Sequence, residues 1–169
     1  MKYQFSRPER FITGTVGQPG ERAFFIQIRS TSQLFSVAVE KAQVQAIIAR
    51  LEIMIAEIKK TQPLIVIEKF PPDDAPLESP VDAEFQVGAI SLAWDEEKQF
   101  ISLELYELED DEVDTEGEVV EISITLGMAS AFVLRSQAVV NAGRLPCPFC
   151  GIPIDPRGHL CPRANGYRR

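Results

Sequence analysis

Hydrophobic and polar positions along the chain change period twice, and those changes outline the elements. "RFITGTV" alternates apolar and polar residues, as a half-buried strand does. "GQPGE" follows as a turn punctuated by Gly17, Pro19 and Gly20. "RAFFIQIRS" and "LFSVAVE" are rich in aromatic and β-branched residues and predict two further strands. From Glu40 to Lys60 the period becomes helical, with apolar residues at Val44, Ile47, Ile48, Leu51, Met54, Ile55 and Ile58. "IVIE" predicts a short strand. The proline-rich, acidic "FPPDDAPLESPVD" reads as an exposed linker.

After this linker the pattern returns. "EFQVGAISLAW" and "QFISLELYELE" predict strands, the acidic run "EDDEVDTEGE" a loop, and "VVEISITL" another strand. A second helix is expected from about Gly127 to Val140. "RFITG" corresponds to "EFQVG", with Gly14 facing Gly88, and "LFSVAVEKAQVQAIIARL" corresponds to "VEISITLGMASAFVLRSQA". The expectation is an α+β fold: a duplicated βββα unit forming one antiparallel sheet/helix domain over residues 1–143. Its halves are about 1–70 and 84–143, with a linker at 71–83. Each half alone leaves an apolar face bare, so the two should pack together.

Composition supports a folded body: 45% of the 169 residues are hydrophobic and 25% charged. The net charge of -8 argues against nonspecific binding of the whole body to nucleic acid or an anionic membrane. The charge is uneven, since the C-terminal "RLPCPFCGIPIDPRGHLCPRANGYRR" carries five arginines against one aspartate. No apolar run approaches the ~20 residues needed to span a membrane. The N-terminus lacks the apolar stretch of a signal peptide. Three cysteines are poor disulfide arithmetic. A reduced, cytoplasmic protein is expected.

The C-terminal stretch also gathers every soft metal ligand in the chain. Cys147, Cys150, His159 and Cys161 are spaced C-x2-C-x8-H-x-C, and the sequence has no other cysteine or histidine. Cys-x2-Cys lets two thiolates converge from one turn, and residues two apart in an extended segment project to the same side. Three thiolates and an imidazole suit a closed, tetrahedral structural Zn²⁺ site with no position left for a reacting water. Because His159 and Cys161 are unusually close, an alternative places His159 outside the coordination sphere, with Asp155 or water as fourth ligand. An iron–sulfur cluster normally wants four cysteines. Residues 144–169 are therefore expected to be an appended zinc-binding module, too short to bury a core without a metal.

The arginines here have two readings. Arg144, Arg157 and Arg163 can offset the negative charge of a three-thiolate zinc site. Alternatively Arg163, Tyr167, Arg168 and Arg169 form a partner-binding arm, with arginines on phosphates or carboxylates and Tyr167 stacked on a base. The partner expected is single-stranded nucleic acid. The alternative is an adaptor whose structural zinc tail docks on a protein partner's acidic surface or folds back on the chain's own acidic body, with an enzyme of unknown type the least favoured reading. No catalytic residues are expected. There is no G-x-x-x-x-G-K-[ST] loop and no G-x-S-x-G elbow. The pairs Asp73–Asp74 and Asp110–Asp111 fall in segments that read as solvated.

"CPFCGIPIDPRGHLCPRANGYRR", "RFITGTVGQPGERAFFIQ" and "SVAVEKAQV" together resemble an uncharacterised bacterial family of conserved hypothetical proteins, mainly actinobacterial and labelled a domain of unknown function. The resemblance covers nearly the whole chain and implies a bacterial cytoplasmic protein with a cysteine-rich ending. The two-fold βββα plan is more weakly similar to Whirly and Pur-alpha type repeats, which bind single-stranded nucleic acid on a curved sheet. This body departs from them: its strands carry few basic residues, and "LELYELEDDEVD" is acidic.

Overall fold

The chain starts with period-two alternation: in Lys2–Ser6 (β1), Tyr3 and Phe5 turn to one side and Lys2, Gln4 and Ser6 to the other. In this computed structural model, which describes residues 2–18, 20–71, 73–112 and 115–142, β1 is an edge strand. Next come β2 (Arg10–Val16), β3 (Ala23–Ser30), β4 (Gln33–Val39) and α1 (Lys41–Thr61), then β5 (Ala83–Asp95), β6 (Phe100–Glu107), β7 (Val119–Ile124) and α2 (Leu126–Asn141). The seven strands form one sheet in the order β1-β7-β6-β5-β4-β3-β2.

Strands β2 to β7, both long helices and a mixed α+β architecture match the sequence expectation. The sheet is not purely antiparallel, however. β4 pairs with β5 in parallel, and so does β1 with β7. The β4–β5 pairing follows from chain length, because α1 and the segment after it are long enough for a crossover, which a tight turn is not. β1 was not foreseen, although "KYQFS" carries the alternation of a strand. "IVIE" is no strand: Ile65 and Ile67 pack against the core, while Leu64 is 94% and Val66 88% exposed.

Sheet curvature builds the core. Inward residues Phe35, Val37 and Val39 of β4, Ile101, Leu103 and Leu105 of β6, and Val120, Ile122 and Ile124 of β7 are all buried. On β5 the inward set switches from Phe85 and Val87 to Ile90, Leu92 and Trp94, because a bulge between Val87 and Ile90 places two residues of β5 opposite one of β6.

Each helix lies against strands from the other half. At the start of α1, Gln43 Oε1 accepts from the Glu40 N–H at 2.7 Å, while its Nε2 donates to the Val87 and Gly88 carbonyls of β5 at 2.9 Å each. Farther along, Met54 and Ile58 border a concavity with Leu92 and Trp94. α2, capped by Thr125, packs instead on β2: Phe132 stacks on Phe11 with centroids 4.4 Å apart, and Ser136 meets Thr13 at 2.8 Å.

The expected linker is not free. Residues 73–78 form a strap across the face of β2 and β3 that points away from the helices. Leu77 lies over Gly14, where a Cβ would come within 2.4 Å of it. The Gln27 side-chain amide exchanges two hydrogen bonds with the Glu78 backbone, at 3.0 and 2.8 Å. The segment before the strap passes the start of α2, where only a glycine fits: a Cβ on Gly127 would be 2.4 Å from the Glu68 carbonyl.

Candidate functional site

Cys147, Cys150, His159 and Cys161, and the arm residues Arg163, Tyr167, Arg168 and Arg169, lie outside the described residues. Among the described residues, no three histidine, cysteine or acidic side chains are grouped to hold a metal. The metal reading of Cys147, Cys150, His159 and Cys161 rests on donor chemistry alone: three thiolates and an imidazole would suit zinc, and the sequence has no other cysteine or histidine.

A partly buried charged clasp joins Arg10, Asp73 and Arg135. Arg10 grips the Asp73 carboxylate with two parallel hydrogen bonds of 2.7 and 3.0 Å and also donates to the Ala75 and Pro76 carbonyls. Arg135 donates from Nε to the Thr13 carbonyl on the outer edge of β2 and from Nη1 to the Asp73 and Ala75 carbonyls. One side chain therefore binds helix, sheet edge and strap, covering backbone acceptors that an edge strand would otherwise expose. The hydrogen bond from Arg10 is the main force holding the Asp73 carboxyl below its ordinary range, and that bond raises Arg10 in turn. Arg135 is lowered, chiefly by burial, with the nearby Arg10 charge adding to it.

The recorded hydrogen bonds of both arginines all go to chain carbonyls or to the Asp73 carboxylate, so the clasp holds the strap and helix against the sheet. Sequence reasoning missed it. The available signal was Arg135, the only charged residue in "LGMASAFVLRSQAVVN". A lone charge in an otherwise uncharged buried helix needs a dedicated partner.

Other features are less enclosed. An acidic concavity of about 600 Å³ is lined by Glu107 and Glu109 to Glu112. A groove of about 410 Å³ between the helices is lined by exposed Leu134 and buried Val133 beside Glu52 and Lys59. The Thr13–Ser136 hydroxyl pair is fully buried, so neither oxygen can reach a substrate. No helix among the described residues is long and apolar enough to cross a membrane.

A family model matches residues 3–161, nearly the whole chain and all four candidate ligands. The chain belongs to the family described as "Protein of unknown function (DUF3090)". The match ends at Cys161, so Arg163, Tyr167, Arg168 and Arg169 fall beyond it. No curated protein and no solved structure matches the chain.

Proposed function

We propose that this protein is a non-enzymatic, cytoplasmic zinc-binding protein whose basic C-terminal module contacts single-stranded nucleic acid. The body is read as a duplicated βββα unit, one copy spanning β2 to α1 and the other β5 to α2. The carrying observation is the concentration of all three cysteines and the single histidine between residues 147 and 161, within a tail bearing five arginines. The body supports this division of labour. Among the described residues, buried Thr13, Gln27, Ser36, Arg135 and Ser136 are engaged with the chain's own backbone and side chains, and the exposed strand faces carry Glu104 and Glu121, which repel phosphate. Zinc held by Cys147, Cys150, His159 and Cys161 would order the tail without offering an open coordination position. Arg163, Arg168 and Arg169 would then supply phosphate affinity, and Tyr167 a stacking surface worth ~1–3 kcal/mol per base.

Fluorescence anisotropy of the zinc-loaded protein with short single-stranded oligonucleotides at low salt tests this. Replacing Arg163, Arg168 and Arg169 by alanine should weaken binding and flatten its salt dependence. Tyr167→Ala should weaken binding with the slope retained. The alternative is a protein adaptor whose zinc tail is structural, which the acidic concavity beside β6 favours. It predicts no oligonucleotide binding at high micromolar protein, and lower zinc affinity or thermal stability in the arginine variants.

A further inference from the structure

Two cross-strand pairs of like charge stand on the faces of the sheet that point away from the helices. On the first half, Arg10 of β2 is directly opposite Arg29 of β3. On the second, Glu104 of β6 is directly opposite Glu121 of β7. Like charges so placed repel, and a charge of opposite sign brought to them relieves that repulsion. On the first half that partner is in place. The strap after α1 carries Asp73 to Arg10 at 2.7 Å and Glu78 to Arg29 at 3.3 Å.

On the second half, nothing among the described residues covers the corresponding face. Ser91, Glu104, Glu121 and Gln4 form one row across β5, β6, β7 and β1. Ser91 and Gln4 are exposed and the two glutamates partly so. Among the described residues, the side-chain bonds of these glutamates stay within the face: Lys2 meets Glu121 at 3.0 Å, and Tyr106 donates to Glu104. One lysine faces two carboxylates. The chain after α2 is residues 143–169, with five arginines and one aspartate. The signs are the inverse of the first half, where an acidic strap follows α1 and covers a basic face.

We propose that residues 143–169 return over the exposed face of β5, β6, β7 and β1 of the same chain, with tail arginines meeting Glu104 and Glu121. This rests on the duplicated plan proposed above: the segment after each helix covers the outer face of a half-sheet. The length suffices, because 27 residues (143 to 169 inclusive) can span up to roughly 90 Å when extended. It does not depend on zinc, and it makes nucleic acid a competitor for the docked arginines.

Limited trypsin digestion of the full-length, zinc-loaded protein tests it, comparing the natural chain with the Glu104→Gln/Glu121→Gln double variant. Removing two opposed carboxylates from an exposed face should leave the thermal midpoint nearly unchanged. Release of tail peptides should nevertheless accelerate about tenfold, as expected when two partly screened ion pairs that held the tail closed are lost. Raising the salt should accelerate release in the natural chain and not in the variant. Equal tail cleavage in the two proteins at low salt would overturn the proposal. So would protection that disappears on dilution, which assigns the face to a second copy's tail.

A second readout avoids proteolysis. Replacing the five tail arginines by glutamine should shift the amide resonances of Glu104, Tyr106 and Glu121 and leave those of Arg10 and Arg29 in place. Unmoved resonances at Glu104 and Glu121 would also overturn it. Metal content is measured separately. Full zinc occupancy without protection removes docking alone, and protection without zinc removes the metal reading alone.

Discussion

Phe5 on β1 and Phe35 on β4 sit with ring centroids 5.5 Å apart, although β7, β6 and β5 separate their strands in the sheet. At about 4.8 Å per strand a flat sheet would hold them roughly 19 Å apart. The sheet therefore curls until its β1 edge faces its own middle. Tyr3, at 4.7 Å, and Phe85, at 6.2 Å, complete the aromatic cluster around Phe35.

Phe35 thus fastens the curl. Phe35→Ala removes a ring that is 2% exposed and should destabilise the fold by about 3–5 kcal/mol. Urea titration should show a lower midpoint. Hydrogen exchange should show the largest loss of protection in β1, whose anchoring rings Tyr3 and Phe5 lose their neighbour. Uniform loss across the sheet would contradict this role.

The clasp predicts a pH dependence. Asp73 is held below its ordinary pKa, first by the hydrogen bond from Arg10, then by the Ala75 N–H and the charges of Arg10 and Arg135, against the opposing effect of burial. A depressed carboxylate stabilises the fold fully above its unfolded pKa, near ~3.9. That stabilisation is lost as pH falls through the lower folded value. Asp73→Asn should therefore be less stable than the natural chain by about 0.5–1 kcal/mol at neutral pH, the pair being partly exposed. The difference should vanish in strong acid. Denaturant midpoints of both proteins from neutral pH down through the carboxylate range check it.

Opposite outcomes are expected from two truncations. A chain ending at Ala142 retains both helices and all seven strands and should unfold cooperatively. Residues 1–70 alone lack β5 under α1, α2 beside β2, and the strap across Arg10 and Gln27, and should be unfolded or insoluble. Thermal melts followed by circular dichroism distinguish these. A soluble, cooperatively folding 1–70 fragment would mean that cross-packing of the halves is dispensable.

Elemental analysis of natively purified protein should find about one zinc per chain, as expected for a single closed site. Cys147→Ser and Cys150→Ser should each lose it. A protein free of zinc and other transition metals would end the metal reading.

The α1 pattern was legible in sequence because a strict helical period over seven buried positions admits one face only. Expected bounds of Glu40 to Lys60 compare with Lys41–Thr61, with Glu40 as N-cap. β2 to β7 were legible from alternation and turn residues. Parallel pairing was not, since nothing local in "LFSVAVE" or "EFQVG" tells which neighbour each strand takes. The attachment of the strap was not legible, because proline and acidic residues signal loops in general. Its attachment depends on Arg10, Gln27 and Arg135, which are distant in sequence. The zinc ligands were identified by residue type and spacing alone and lie outside the described residues.

The parallel pairing of β1 with β7 also has a meaning in time. Lys2 to Ser6 leave the ribosome well before their partners Val119 to Ser123, so this strand waits for nearly the whole sheet before it can be hydrogen-bonded. Phe5 and Tyr3 remain in water until then, as does the side of Phe35 that will receive them. Such distant pairing slows folding. A chaperone that shields the nascent N-terminus should therefore raise the yield of this protein more than one acting on the finished chain.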